Sequence, residues 1–301
     1  MTLKPVVIAF VLFFILSLSS CVPAAKQAPF KLPPDLPTPT YQFSFEPEAQ
    51  ENPIEATIAL ISPQYGTTLD CAAPSENFSA VVEDYSRSLE RDFEATLIAK
   101  GYTLTGPFAS TEDMTFGEKE RAMLALQPIV NIAVSCDDAQ GRVYSSEKNR
   151  DTGRTVSTPG QGRGERFLIQ DRTVIEVPGQ MIVKSDLSLE MTEPLSQEKV
   201  WQKAVPVEDQ QAAYDYYAIR EVDKYLDTQG RSLTTTLIAG AQYQELETRT
   251  NALPNADKRP GALAAVLEQM YQAQLSQFSA FFDPREIEII VSDAERARER
   301  F

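Results

Sequence analysis

The segment from Ser75 to Lys100 predicts a long amphipathic helix, and no other stretch of the chain limits the fold as strongly. Its apolar residues recur at three- and four-residue spacing, which places them on one face of an α-helix. These residues are Phe78, Val82, Tyr85, Leu89, Phe93 and Leu97. Ser75 is suited to the N-cap and Gly101 to the turn that ends the helix. We expect the stripe to form part of the core rather than a ligand-binding surface.

Strands are predicted on both sides of this helix. The apolar run from Glu55 to Ser62 is one strand, and Pro63 ends it. Tyr102 and Leu104 alternate with polar residues in a second strand. A further helix and a third strand are predicted at Thr115 to Leu126 and at Pro128 to Cys136. The N-terminal half therefore has the order β-α-β-α-β.

Residues 137–165 interrupt this order. The segment is rich in Gly, Ser, Thr and Arg and has almost no apolar residues, which favours a mobile loop or a loose hairpin. Three predicted strands follow, at Arg166 to Val177, Met181 to Met191 and Glu198 to Val205. Turn-forming residues lie between the last two strands, so we expect these to form a β-hairpin.

The C-terminal third is predicted to be helical. Gln210 to Leu226 and Leu233 to Thr248 are helix candidates, and a third helix runs from Pro260 to Phe282, where Asp283-Pro284 ends it. A charged terminal helix is predicted at Ser292 to Glu299. The fold class is therefore α+β, with a mixed β-sheet that contains the N-terminal β-α-β-α-β unit, a β-hairpin and a helical C-terminal third.

The N-terminus has the features of a bacterial lipoprotein signal peptide. A single charged residue, Lys4, precedes an apolar run from Val6 to Leu18 that is too short for a stable membrane-spanning helix. The run ends in Leu18-Ser19-Ser20-Cys21, which resembles the lipobox, whose cysteine receives acyl chains such as palmitate. A plain secretory signal that contains a cysteine is the alternative. We expect residues 1–20 to be removed and Cys21 to carry the lipid.

The sequence after Cys21 predicts where the lipoprotein resides and how its body is attached. Val22 follows Cys21, in place of the Asp that usually retains lipoproteins in the inner membrane, so we expect the outer membrane. Residues 21–53 are rich in proline, which favours an extended linker that spaces the body from the lipid surface. A disordered tail without a spacing role is the alternative. Residues 54–301 are then expected to form a single α+β domain.

Charge and residue usage exclude several classes of function. The net charge of −15 repels polyanions and argues against nucleic acid as a partner. The chain has no histidine, which removes Ser-His-Asp and Cys-His catalysis and most transition-metal sites. We therefore expect no cofactor, no metal and no enzymatic activity.

Two cysteines remain once Cys21 is assigned to lipid. Cys71 and Cys136 form an even pair in a compartment that permits disulfides, and both fall next to predicted strand ends. A disulfide between them is the favoured interpretation, and two unrelated buried thiols are the alternative. Neither cysteine belongs to a CxxC motif, so we predict no redox function.

Several stretches in order resemble the neuraminyllactose-binding haemagglutinin family of bacterial surface lipoproteins. The first is Ile58 to Tyr65, an apolar strand that ends in Ser-Pro-Gln-Tyr, and the likeness continues through Leu97 to Tyr102 and Asp113 to Glu120. It returns at Gly179 to Trp201, where Glu-Pro-Leu-Ser-Gln-Glu is similar to a turn of the family, and more weakly at Asn255 to Glu299. The resemblance implies a surface adhesin that binds sialylated glycans.

The family's sialic-acid binding is associated with a basic stretch after the third strand. Here residues 137–166 hold six basic and five acidic residues, a local excess of positive charge on an acidic body. Guanidinium groups bind carboxylates in bidentate fashion, so the resemblance points to Arg150 and Arg154, with Lys148, as ligand-binding residues. A solvated segment whose charges pair with each other is the alternative. The other function that we consider is a structural or assembly lipoprotein that binds envelope proteins.

Overall fold

A nine-stranded mixed β-sheet forms the centre of the computed structural model, which describes residues 29–37, 41–50, 56–72, 76–156, 166–226 and 248–300. Within these residues the strands are β1 (Thr57–Ile61), β2 (Gln64–Asp70), β3 (Thr103–Phe108), β4 (Leu124–Asp138), β5 (Arg142–Val156), β6 (Arg166–Thr192), β7 (Lys199–Val205), β8 (Gln210–Leu226) and β9 (Thr248–Asp257). The helices are α1 (Glu76–Ala99), α2 (Phe116–Arg121), α3 (Arg259–Phe281) and α4 (Pro284–Arg300).

The sheet combines parallel and antiparallel pairs. Its main path is β3-β1-β4-β6-β8-β9, with β2 added to β4 and with β5 and β7 added to β6. β1 is parallel to β3 and β4, and β2 is parallel to β4, whereas every pair that involves β6 or β8 is antiparallel. The predicted α+β class is confirmed, with its N-terminal β-α-β-α-β unit, the β6–β7 hairpin and helices at the C-terminus.

Two helices cover one face of the sheet. α3 packs against β6 and β8, and α1 packs against α3. All six residues of the apolar stripe on α1 are buried, including Tyr85, Phe93 and Leu97, which have no exposed surface. The stripe is therefore core, as the sequence predicts, and it contributes to the main hydrophobic cluster of the protein. Within the part of the chain that the structure describes, no helix is long and apolar enough to cross a membrane.

The opposite face of the sheet is mostly polar, and we call it the open face. Asn131 on β4 and Lys184 and Asp186 on β6 are exposed there. A small apolar cluster that contains Ile61 and Met114 occupies the end of the sheet near β1. Apolar residues therefore face the helices while polar residues face outward, which is the ordinary alternation of a sheet covered on one side.

The segment predicted as a loop at 137–165 is largely a strand. β5 continues the line of β4, and both run antiparallel to the long strand β6, with Asp138 opposite Gly179 and Arg142 opposite Glu176. We call the extension formed by β5 and the paired parts of β6, β8 and β9 the arm. Because β5 lies at an edge and pairs through its backbone, it needs no apolar period, and its register shifts and charges are typical of edge strands. Residues 157–165 lie outside the described residues.

The helix predicted at Gln210 to Leu226 is wrong, because this segment is β8. Tyr214, Tyr216 and Ala218 are buried on one face, a two-residue period that the neighbouring Tyr217 obscured in the sequence. The helix candidate at Leu233 to Thr248 lies outside the described residues except for Thr248, which begins β9.

The helix predicted from Thr115 is shorter than expected. It ends at Arg121 because Leu124 already belongs to β4. The terminal helix is longer than expected, since α4 begins at Pro284.

The two strands predicted at 166–177 and 181–191 are one continuous strand, β6. Pro178 and Gly179 lie at its centre and resemble a turn in the sequence. In the structure Gly179 lies beneath the ring of Tyr214, where a Cβ atom would come within 2.4 Å of Tyr214 Cζ. The glycine therefore allows close packing of a cross-strand aromatic ring, and no turn forms.

The proline-rich linker predicted at 21–53 packs against the body in its second half. Phe43 is 2% exposed, and its ring contacts those of Tyr85 and Tyr271 at centroid distances of 5.3 and 5.6 Å. The backbone N–H of Phe45 donates a 2.8 Å hydrogen bond to Asp92. We call residues 41–50 the strap, because they lie along α1 and α3. Phe43 belongs to the main hydrophobic cluster and Phe45 packs against it, so this part of the segment that the composition assigned to a linker lies on the body.

Candidate functional site

A polar cleft of about 420 Å³ lies across the four strands of the arm. Its lining side chains come from β5, β6, β8 and β9 and are Arg150, Thr152, Gln170, Glu221, Asp223, Arg249 and Asn251. Gln170 is an even number of residues from the exposed Lys184 and Asp186 on the same strand, so all three lie on one face. The cleft is therefore on the open face, opposite the helices.

Strand register brings these residues together from distant parts of the sequence. Arg150 lies opposite Gln170, and Gln170 lies opposite Asp223. The adjacent row places Arg172 opposite Glu221, and Glu221 opposite Arg249. Opposite residues on neighbouring antiparallel strands are close enough for direct contact. The first row therefore has a neutral amide between a positive and a negative group, and the second row alternates positive, negative and positive groups.

Ion pairs hold both carboxylates of the cleft. Arg249 Nη2 lies 3.2 Å from Asp223 Oδ2, and Arg172 Nε lies 3.2 Å from Glu221 Oε1. The side-chain amide of Gln170 also donates a 3.0 Å hydrogen bond to Asp223 Oδ1. The negative charge of the cleft is therefore compensated by Arg249, which lines it, and by the neighbouring Arg172.

Arg150 differs from the other arginines of the cleft. It is exposed, and it forms no hydrogen bond or ion pair within the part of the chain that the structure describes. An exposed guanidinium offers a planar set of donors that matches a carboxylate. Thr152, Asn251 and Gln170 line the same cleft with hydroxyl and amide groups, which can bond to sugar hydroxyls. This combination suits a ligand that carries one carboxylate and several hydroxyls.

The residues predicted for ligand binding have different positions. Arg150 lines the cleft, whereas Lys148 is exposed on the same strand but does not line it. Arg154 pairs with Leu168 through a register shift in β5, and its side chain lies outside the described part of the structure. Between Arg150 and Arg154 the chain turns at Gly153, which has a φ of 66° and whose N–H donates a 2.8 Å hydrogen bond to Asp151. The role of Lys148, Arg150 and Arg154 in ligand binding stays a prediction.

Sequence reasoning missed the residues that β6, β8 and β9 contribute to the cleft. Glu221 and Asp223 were assigned to a helix, which does not pair with a strand and therefore would not place Asp223 opposite Gln170. The two-residue spacing of Tyr214, Tyr216 and Ala218 was the available signal for a strand. Arg249 follows the helix candidate at Leu233 to Thr248, so its proximity to Asp223 on a neighbouring strand was not foreseeable.

The cysteine pair lies on the helix-covered side of the sheet. A disulfide joins Cys71 to Cys136 with a Cα–Cα distance of 4.8 Å, the pairing that the sequence favours. Cys21 and the rest of residues 1–28 lie outside the described residues, so lipid attachment stays a prediction. Among the described residues, no group of three or more Cys, Asp or Glu side chains is arranged to hold a metal ion.

A second group of charged residues is buried near the disulfide. Arg259 and Asp257 form a salt bridge of 2.9 Å between fully buried side chains, and the guanidinium lies 4.0 Å from the ring centroid of Tyr216. Tyr214 and Tyr216 donate hydrogen bonds of 2.6 and 2.9 Å to Asp138. Burial, followed by these bonds to Asp138, raises the pKa of Tyr216 to about 12. The group is internally paired, which fits a structural role.

Comparison with known proteins gives partial similarities to bacterial structures. No family model matches the chain, and no curated protein sequence matches it. A "putative neuraminyllactose-binding hemagglutinin homolog" from Helicobacter pylori matches 85% of this chain and 99% of its own, with 14% identity and a TM-score of 0.44. A DUF330 protein from Xanthomonas campestris matches 86% of this chain and 98% of its own, with 9% identity and a TM-score of 0.30. A lipoprotein from Neisseria meningitidis matches 52% of this chain and 83% of its own, with 12% identity and a TM-score of 0.19.

Because each identity is below 15% and each TM-score is below 0.5, none of the three proteins assigns a function to this chain.

Proposed function

We propose that the protein is a lipid-anchored lipoprotein of the bacterial outer membrane that binds acidic glycans, sialylated glycans first among them, in the cleft of the arm. Cys21 carries the lipid, and Arg150 binds the carboxylate of the sugar. The observation that carries the proposal is Arg150, an exposed guanidinium without a described partner in a cleft of hydroxyl and amide groups.

The electrostatics of the cleft support an anionic ligand despite the acidic chain. The net charge of −15 disfavours approach to a sialylated surface at long range, but screening over about 8 Å at physiological ionic strength weakens this repulsion. Inside the cleft the carboxylates of Glu221 and Asp223 already have arginine partners. A ligand carboxylate at Arg150 therefore meets a locally compensated surface.

An open cleft on a sheet implies modest affinity at each site. Association loses translational and rotational freedom, and a single charge-assisted contact offsets only part of that loss. Many lipoproteins anchored in one membrane would bind a glycan-covered surface multivalently, which increases the overall strength without new contacts. Attachment through Cys21 therefore favours function as an adhesin.

Binding to beads that carry sialylated or desialylated glycans tests the proposed ligand. We expect the wild-type chain to bind sialylated beads preferentially, and Arg150→Ala to lose this preference. Lys148→Ala is the matched control, because it removes an exposed cation from the same strand outside the cleft and should retain the preference. Equal binding of wild-type protein to both kinds of bead would refute the glycan ligand, and an envelope scaffold that binds proteins would be the remaining reading.

Detergent-phase partitioning tests the lipid anchor separately. We expect the wild-type protein to enter the detergent phase, and Cys21→Ala to remain as uncleaved precursor or to be released as soluble protein. Mass spectrometry of the N-terminal peptide would show the acyl chains on Cys21. A processed Cys21→Ala protein that still enters the detergent phase like the wild type would contradict lipid anchoring at this residue.

A further inference from the structure

A pair of tyrosines lies on the open face close to the cleft. The rings of Tyr144 on β5 and Tyr217 on β8 are in edge-to-face contact with a centroid distance of 5.2 Å. Tyr144 is 41% exposed, and its neighbour Val143 is 67% exposed. An aromatic pair with this exposure is unusual on a face that is mostly polar, and exposed apolar groups on such a surface are candidates for ligand contact.

The tyrosine pair is continuous with the cleft. Tyr217 shares its face with Glu221 and Asp223, because residues separated by an even number of positions on a strand point to the same side. Arg150 lies opposite Gln170 on β6, and Tyr144 lies in a bulge opposite Val174 and Ile175, four to five residues away along β6, which separates the two backbones by about 15 Å. Ile219 lies between Tyr217 and Glu221 on this face, and it is opposite Asn251 of β9. Asn251 also lines the cleft. A trisaccharide is long enough to reach from the cleft to the pair.

Hydrogen-bonding groups accompany the aromatic surface. The hydroxyl of Tyr217 lies 3.4 Å from Glu176 Oε1, so an acceptor borders the rings. A pyranose has one apolar side made of C–H groups and a rim of hydroxyls. Aromatic rings beside polar groups match both features, since the rings cover the apolar side and the polar groups bond to the rim.

We infer that Tyr144 and Tyr217 form a second subsite, which binds a neutral pyranose ring of the same glycan whose carboxylate binds at Arg150. This subsite rests on the proposed function, because it extends the cleft from a site for one acidic sugar to a site for an oligosaccharide. The ligand class is therefore a glycan in which an acidic sugar at one end is followed by at least two neutral sugars. The exposed ring of Tyr144 supplies the main contact surface.

Titration of the full-length chain in detergent with two ligands tests this subsite. The ligands are 3′-sialyllactose, which reaches both subsites, and free N-acetylneuraminic acid, which reaches only the cleft. We expect Tyr144→Ala to weaken binding of 3′-sialyllactose about tenfold, equivalent to about 1.4 kcal/mol, and to leave binding of the free acid unchanged. Tyr144→Phe keeps the ring and should bind both ligands as the wild type does.

Phe116→Ala is the control for the loss of an exposed aromatic residue. Phe116 is 69% exposed on α2, outside the arm, so its removal should change neither affinity. Binding of 3′-sialyllactose to Tyr144→Ala with wild-type affinity would overturn the subsite, as would an equal loss for both ligands. Failure of the wild-type protein to bind either ligand would instead refute the proposed function and the subsite with it.

Discussion

The strap offers the sharpest test of how the N-terminal part of the chain is organised. Phe43→Ala removes a ring that is 2% exposed and lies between α1 and α3. If the strap is an integral part of the core, this substitution destabilises the whole fold. If residues 21–53 are only a linker, the same substitution has almost no effect.

The expected magnitude follows from burial and from the two ring contacts. Truncation of a buried phenylalanine to alanine costs about 3–5 kcal/mol, which includes the lost transfer free energy and the cavity that remains. Contacts with Tyr85 and Tyr271 place the loss above the lower end of this range, because aromatic pairs add about 0.5–1.5 kcal/mol each beyond their buried area. We therefore expect the free energy of unfolding to fall by about 4 kcal/mol and Tm to fall by about 10 °C.

Urea denaturation of a chain that begins at Pro29 measures this change. Leu32→Ala is the matched control, because Leu32 also belongs to the N-terminal segment but is 55% exposed, and it should change the free energy of unfolding by less than about 0.5 kcal/mol. A loss below about 1 kcal/mol for Phe43→Ala would refute the docked strap. A chain that begins at Gln50 should then be as stable as the longer one.

Two further predictions concern buried charges. Arg259→Ala leaves the buried carboxylate of Asp257 without its partner and should lower the free energy of unfolding, measured in urea, by about 3–5 kcal/mol. Lys258→Ala breaks an exposed pair with Asp215 and should lower it by less than about 1 kcal/mol. Similar small losses for both variants would contradict the paired core. Burial opposes ionisation of Glu193, but hydrogen bonds from Ser196 and Arg298 outweigh it and hold the pKa of this carboxyl below its ordinary 4.5. Its stabilisation is therefore complete above about pH 4.5 and is lost as the pH falls through the lower folded pKa, so Glu193→Gln should reduce the dependence of unfolding free energy on pH between about 5 and 3. An unchanged pH profile for Glu193→Gln would disprove this role.

The elements that the sequence predicts correctly have strong local periods. α1 carries an uninterrupted apolar stripe, and its burial required no knowledge of the partner elements. The pairing of Cys71 with Cys136 was accessible because only two cysteines remained once Cys21 was assigned. The turn between β6 and β7 was readable from its proline and polar residues. Information within a short window decided the helix and the turn, whereas the number of cysteines decided the disulfide.

The arm was not predictable in the same way because its order depends on pairing between distant segments. β5 has almost no apolar residues, and only its register with β6 makes it a strand. β8 contains closely spaced tyrosines that fit a helix as well as a strand until Gly179 is seen beneath Tyr214. The cleft was equally difficult to predict, because residues of four strands line it. Arg150 was a candidate from its local charge, whereas Asp223 and Arg249 join the site only through the sheet.

Discrimination between an acidic ligand and its neutral analogue tests the central claim most directly. The affinity of wild-type and Arg150→Ala protein for 3′-sialyllactose and for its carboxyl methyl ester forms a double-mutant cycle between one side chain and one charge of the ligand. We expect the wild-type protein to favour the acid by about tenfold or more, since a hydrogen bond to a charged group contributes about 1.5–3 kcal/mol, and we expect this preference to vanish in Arg150→Ala. An equal preference for the acid in both proteins, or no preference in the wild type, would contradict the assignment of Arg150 as the carboxylate-binding residue.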